Sequence, residues 1–468
     1  MEFMSAALGE DSVKESFLDR FKHHSKFLWN KQSIYRVPSS MRDLNNRAYQ
    51  PQVVSIGPYH NGNSQLEAME EHKYRALQHF LSRAYNISVE ELVAHFKNDD
   101  KFMEKVMDSY TQPIDPQWWD SNASTLLTVL DGCFLFELLL SSTSAYTCGG
   151  ADSSAPMWCY GHDDPIFGVH AERQNIVPYV KLDMLLVENQ IPLIILERLA
   201  KIAELEVNWN DLIRSFYGCR IEDRSSIDPL GLHVLDVYRK GRIFSGEYTG
   251  WTSPKAAKEL ENHGIRFKRS LGGGSGDGVA GIGGFKDVSF ETTTKKRGID
   301  GKLNKENPKV DSQIATHGDL YLPFLTIDEA TEPILLNLMA FERLHLGKEA
   351  RDMTVTQYVF LMNSLIRSEA DVRCLRRNSI LSSSPERSDG AVTKLFADIT
   401  SNLVVDDVRG VGTMNEVVRQ LCNRRLNSFK ASWANQFGLD KRMWIFVSLM
   451  AYGLTFALIN TIMNKPGI

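Results

Sequence analysis

The chain has 468 residues, 43% of them apolar and 24% charged, the proportions of a folded globular protein, which exclude wholesale disorder. That length accommodates two or three domains or one large body. A net charge of −5 and a pI near 6.2 leave no basic domain, which argues against nucleic acid as a partner. The six cysteines (Cys133, Cys148, Cys159, Cys219, Cys374, Cys422) are widely spaced and include no CxxC pair. This speaks against a disulfide framework and suits a reducing compartment.

The N-terminus, MEFMSAALGEDSVKESFLDRFKHH, lacks the basic start and continuous apolar core of a secretory signal. Residues 10–30 are predicted to form an amphipathic helix with Val13, Phe17, Phe21 and Leu28 on one face. Between residues 34 and 62, Pro38, Pro51, Pro58, Gly57 and Gly62 forbid a long helix, and VVSI has the β-branched content of a short strand. Helical spacing returns from Gln65 to Arg83 through Leu66, Met69, Leu77, Phe80 and Leu81. Glu67, Glu70 and Lys73 fall on other faces, and Glu70 and Lys73 are three apart, close enough to pair.

Residues 123–140, ASTLLTVLDGCFLFELLL, read as a buried helix at the heart of the body. Asp131, Gly132 and Glu137 interrupt the run, making it too short and too polar to span a bilayer. A loop rich in Ser, Gly and Asp covers 141–165. In PYVKLDMLLVENQIPLIILERLAKI, residues 178–202, two apolar helical stretches are predicted, with Pro192 starting the second. Ten glycines between Ser270 and Lys302 mark residues 270–318 as a flexible surface insertion. It sits between the strand-like FKRS and DLYLPFLTID and is expected to be a long loop between paired strands. Helical spacing resumes in EPILLNLMAFERLH, VTQYVFLMNSLI and VTKLFADIT. A last soluble helix is predicted from Met414 to Phe437, striped by Val418, Leu421, Leu426, Phe429 and Trp433.

Met443 to Met463, MWIFVSLMAYGLTFALINTIM, contains no charged side chain, and 16 of its 21 residues are apolar. As a helix it is roughly 31 Å long, matching a hydrocarbon core of about 30 Å. The expected membrane anchor is marked by Lys441, Arg442, Met443, Trp444, Tyr452 and Met463. Six basic residues (Arg419, Arg424, Arg425, Lys430, Lys441, Arg442) against Glu416 and Asp440 precede it, while only Lys465 is charged after it. That asymmetry predicts a cytosolic body on a single-pass anchor. The plasma membrane is the expected location. The bland alternative is a buried helix of a soluble core.

No stretch assembles a catalytic set. Gly276-Asp-Gly-Val-Ala-Gly281 is a literal GxGxxG, but Ile282-Gly-Gly-Phe cannot open the helix that a dinucleotide site requires. Cys148, Cys159, His162 and His170 lack the paired close spacing of a zinc site. His60 and His72 read as a turn histidine and one on a polar helix face. GxSxG, HExxH and P-loop patterns do not occur. Asp131, Glu137 and Glu188 lie in apolar surroundings and are candidates for general acids. The structural alternative, that they bond backbone donors at helix ends and breaks, is preferred here. No catalytic residue, cofactor or metal is expected.

The segments IYRVPSSMRDLNNRAYQPQVVSIGPYHNG, LEAMEEHKYRALQHFLSR, LDGCFLFELL, DPIF with LDMLLVENQIPLIILERL, and FLTIDEATEPILLNLMAFE, followed by a terminal span, resemble the plant domain of unknown function 247 proteins. The glycine-rich insertion at 272–301 is longer than that family's usual one, and LDKRMW stands where the family tends to have a proline before the tryptophan. The resemblance implies a largely helical, membrane-associated plant protein with no established enzymatic activity. Some grass members are implicated in gametophytic self-incompatibility, through recognition of a small secreted partner.

The expectation is therefore a mainly α chain with a few short strands. A helical lead over 1–33 precedes a body over 34–437, and an anchor with its tail occupies 438–468. Its expected partners are the lipid bilayer and another protein, recognised through loops 141–175 and 270–318. An enzyme of unfamiliar mechanism built on GPYH and ENQIP, with His60, Glu188 or Asp131 in one pocket, is the alternative. A receptor ectodomain is a third reading, for which Asn86-Ile-Ser and Asn122-Ala-Ser would be glycosylation sites.

Overall fold

The longest helix among the described residues is apolar nearly all round, so it must be wrapped by others. In the computed structural model this is α5, and helices stand around it. The structure describes residues 32–401, apart from 44, 86, 112–121, 143–159, 162–163, 169–175, 220–228, 244–254, 271–283, 286–287, 295–314, 347–352 and 385–386.

In chain order the α-helices are α1 (Ser39–Arg42), α2 (Glu70–Arg83), α3 (Val89–Lys97), α4 (Asp100–Asp108), α5 (Asn122–Ser141), α6 (Val177–Asp183) and α7 (Ile194–Ile202). They continue as α8 (Trp209–Phe216), α9 (Val234–Arg242), α10 (Ala257–Asn262), α11 (Thr331–Phe341), α12 (Thr354–Leu365), α13 (Glu369–Arg377) and α14 (Asp389–Thr400). Helices α2, α3, α7 and α8 pack on α5 and bury Val129, Phe134, Phe136 and Leu139. Gly132 lets α5 and α7 meet, since a Cβ there would stand 3.0 Å from Leu199 Cδ1 and closer still to Ile195 Cγ2. The span from Ala123 to Ser141 is in fact long and apolar enough to cross a bilayer, contrary to expectation, but most of it is buried in protein. Its role as the core helix is as predicted.

A second group of helices, α11 to α14, packs together, with α10 against α13. Asn337 on α11 ties this group to the segments that precede α2 and α7. Its Nδ2 donates to the Ala48 carbonyl at 2.7 Å, and its Oδ1 accepts from Val187 N–H at 2.9 Å. The strands are few. β1 (Ile265–Arg269) lies parallel to β3 (Ala315–Leu322), which pairs antiparallel with β2 (Ser289–Thr294). β4 (Leu325–Ile327) and β5 (Leu381–Ser383) form a parallel pair.

Two expectations need correction here. The 270–318 insertion is not uniformly loop, because β2 lies inside it and completes the three-stranded sheet. The flanking strands do pair, in parallel, which requires a long crossover and so explains the distance between them. VVSI is not a strand. Residues 51–56 bend at Gln52 and Val53 and join no strand, and amides of this segment are bonded by side chains instead. The predicted helices over 10–30 and 414–437, the GxGxxG tract, the four candidate zinc ligands and the anchor residues Lys441, Arg442, Met443, Trp444, Tyr452 and Met463 lie outside the described residues.

Candidate functional site

Between α6 and α7 the chain runs through Val187-Glu-Asn-Gln-Ile-Pro192 without regular structure. A buried irregular segment leaves backbone groups that need partners. Here it presents side chains that serve the equally irregular segment 37–57. Asp183, at the end of α6, accepts three consecutive amides, Gln52 and Val53 at 2.8 Å and Val54 at 2.9 Å. Asn189 accepts Ile56 N–H at 2.6 Å and donates to the Val54 and Asp183 carbonyls at 3.0 Å. Gln190 donates to the Met184 and Leu186 carbonyls and accepts from Leu235 N–H. Glu188 accepts Val37 N–H at 2.5 Å, and Arg42 donates to both its oxygens at 2.5 and 2.6 Å.

The GPYH turn is held against this segment from below. Gly57 has φ +78° and lies directly under the Gln190 carbonyl, where a Cβ has no room. Its N–H donates to Asp131 Oδ2 at 2.7 Å, and Asp131 Oδ1 stands 2.8 Å from Lys73 Nζ. Lys73 was placed off the apolar face. Instead its side chain is 0% exposed, held by Asp131, by Glu70 at 2.8 Å as the spacing predicts, and by Ser55 Oγ at 3.2 Å. Burial alone would pull this ammonium down, but Asp131 and Glu70 outweigh it and keep it above its ordinary range. Glu137, on another face of α5, pairs with Arg83 at 3.0 Å rather than with a backbone donor. Asp131 and Glu137, six residues and so about 240° apart around the helix, therefore meet different partners.

His60 and Glu188 do come together. His60 Nε2 is buried, has no hydrogen-bond partner, and stands 3.5 Å from Glu188 Oε2. Burial, with the nearby charges of Arg42 and Arg36, pulls the imidazole down to about 4, so it is neutral at neutral pH. Surface grooves of about 300 and 430 Å³ lie elsewhere, the first beside Arg214, Arg239 and Ile243, the second beside Phe102, Lys105 and Arg198. His72, on α2, bonds Arg75 at 2.8 Å through Nδ1, and Arg75 pairs with Asp164. Among the described residues no group of three or more His, Cys, Asp or Glu could hold a metal ion.

Reading the sequence missed Asp183 and Glu342. Glu342 is fully buried, pairs with Arg239 at 2.8 Å, and accepts Val355 N–H and Thr356 N–H at the start of α12. The signal available was an acid in an apolar run, PYVKLDMLL and LNLMAFERL, the same signal that singled out Glu188.

Two buried histidines make the fold acid-sensitive. His233 is fully buried, caps α9 through Nδ1, and bonds the Ser33 carbonyl at 3.0 Å through Nε2. Burial pulls it, like His60, from 6.5 to about 4. The unfolded chain takes up these protons near 6.5, whereas the folded chain refuses them until about 4, so their contribution is complete above 6.5 and lost as pH falls. Each contributes at most about 3 kcal/mol. Asp183, pushed up to about 6 by burial against its three amides, acts with the opposite sign in the lower part of the window. Urea midpoints at about pH 7 and about pH 5 should therefore fall further for the parent than for His233→Asn. Equal losses would refute the assignment.

The profile of the domain of unknown function 247 family, described as a plant protein of unknown function, matches residues 34–458. The UPF0481 protein At3g47200 of Arabidopsis thaliana is 26% identical over 445 residues, covering 92% of this chain and 85% of its own. The putative UPF0481 protein At3g02645 of the same plant is 24% identical over 426 residues, covering 75% and 74%. No solved structure matches the chain. The segments that build the junction, residues 34–62 and 178–202, both fall inside the matched region, and the chain belongs to the plant domain of unknown function 247 family.

Proposed function

We propose that this chain is a membrane-tethered recognition or scaffold protein with no catalytic chemistry of its own. The observation that carries the reading is the use made of Glu188, Asn189, Gln190, Asp183 and Asp131. Their oxygens are taken by backbone amides, Arg42 and Lys73, which supports a structural role. The tether is argued from the uncharged run 443–463 and the basic residues before it. The recognition surface is assigned to loops 141–175 and 270–318, of which the described part includes β2 and the start of β3.

Fractionation tests the tether. The full chain should stay with membranes through an alkaline carbonate wash, and a chain stopped after Phe437 should be released. If both are released, the tether is abandoned. Protease added to sealed vesicles should digest the body. A glycosidase mobility shift lost in Asn86→Gln with Asn122→Gln would place the body in the lumen instead. Asn122 opens α5 and Ser124 of the same sequon is fully buried, a poor setting for a glycan on the folded body.

The 3.5 Å approach of His60 to Glu188 favours the enzyme reading as second choice. It ranks below because Arg42 and Val37 N–H already occupy the carboxylate. Turnover of a small substrate by the purified chain, lost in a folded Glu188→Gln variant, would reverse the order.

A further inference from the structure

Helix α13 ends in Arg373, Arg376 and Arg377, followed by Asn378 and Ser379. Ser379 is exposed and has φ +57°, a left-handed conformation that a serine adopts at some cost. It closes the helix where glycine is usual, with Ser379 N–H on the Arg376 carbonyl and Ile380 N–H on the Leu375 carbonyl, both at 3.0 Å. The arginines are exposed and tie three helices together. Arg377 holds Glu261 of α10 at 2.7 Å, and Arg376 holds Asp389 of α14 at 2.9 Å and Ser383 Oγ at 2.6 Å. Arg373 reaches Asp389 at 3.5 Å.

We propose that Ser379 is a phosphoacceptor for a basophilic protein kinase, and that its phosphate draws Arg376 and Arg377 away from Asp389 and Glu261. Kinases choose substrates by charge pattern, and arginines three and two residues before an exposed serine are the pattern an acidic substrate groove reads. The kinase must draw the last turn of α13 into an extended shape. That turn is closed by a strained serine, which lowers the cost of opening it. Ser379 Oγ then attacks the γ-phosphorus of ATP. The new O–P bond forms as the bond to the β-phosphate oxygen breaks, ADP leaves, and the hydroxyl proton passes to the kinase's catalytic aspartate.

The product carries a charge of about −1.5 to −2 and three strong acceptor oxygens. At a helix C-terminus that charge is unfavourable unless cations meet it. Arg376 and Arg377 lie within the same turn, and charge-assisted bonds to phosphate compete well with single carboxylates. The ties from α13 to α10 and α14 are the ones released. This inference goes beyond the recognition reading and agrees with a cytosolic body, but a purified assay does not depend on either.

The test uses the full-length chain, native, with Mg–ATP and a serine kinase selective for arginines at those two positions. One phosphoryl group should map to Ser379 and be absent in Ser379→Ala. Arg376→Gln with Arg377→Gln should slow its uptake about tenfold or more. Hydrogen exchange of the phosphorylated chain should then lose protection at residues 257–262 and in the first turn of α14. Modification of Ser379 only in urea-unfolded chain, or none at all, overturns the acceptor assignment. Phosphorylation with unchanged protection overturns the release.

Discussion

Asp131→Ala is expected to cost about 3–5 kcal/mol, the range for breaking a buried ion pair by removing one partner. Lys73 and Asp131 are both 0% exposed, so the ammonium has no water to turn to and keeps only Glu70, at 2.8 Å, as a counter-ion. Gly57 N–H would also lose its acceptor, a further cost of about 1–3 kcal/mol. Against a total margin of about 5–15 kcal/mol, this removes much of the stability of the fold. Replacing both partners, Asp131→Leu with Lys73→Met, should recover most of the ion-pair part, because no buried charge is then left. Urea denaturation of the parent, the single and the double variants decides it. A single variant within about 0.5 kcal/mol of the parent would mean that the pair is not buried as described.

Gly57→Ala is expected to be comparably severe, at about 3 kcal/mol or more. Two independent penalties apply. The residue has φ +78°, which costs an L side chain about 1–2 kcal/mol. The new Cβ would also overlap the Gln190 carbonyl oxygen, which is backbone and cannot swing aside. Gly62, with φ +80° but open space around it, provides the control. Gly62→Ala should show the conformational penalty alone. If the two variants unfold at the same urea concentration, the close approach of the GPYH turn to ENQIP is refuted.

Both predictions concern contacts between residues far apart in the chain, and this is where reading the sequence stopped. The acids in apolar runs were visible as residues needing partners, and Glu70 with Lys73 was readable as a neighbouring pair. What each acid bonds was not. Asp131 reaches Gly57 and Lys73, Glu137 reaches Arg83, and Glu188 reaches Val37 and Arg42, none of which local spacing specifies. Lys73 was misplaced for the same reason. On a helix wheel it sits with charged neighbours, but α2 packs on α5 and turns that position toward Asp131.

VVSI was misread because β-branched residues favour strands, yet a strand forms only when another strand supplies the bonds. Asp183 and Asn189 supply them here to Val53, Val54 and Ile56. The apolar run of α5 and the apolar periodicity of α2, α7, α11, α12 and α14 were legible without any structure, since such helices bury apolar surface whatever they pack against. Membership of the plant family was likewise carried by motif order along the chain. Tertiary structure alone decided that GPYH and ENQIP form one buried junction, with His60 beside Glu188 and Gly57 under Gln190. The physical reason is that a buried polar group must be satisfied, but the sequence does not say by whom: the partner is whichever backbone or cation the packed helices bring within about 3 Å.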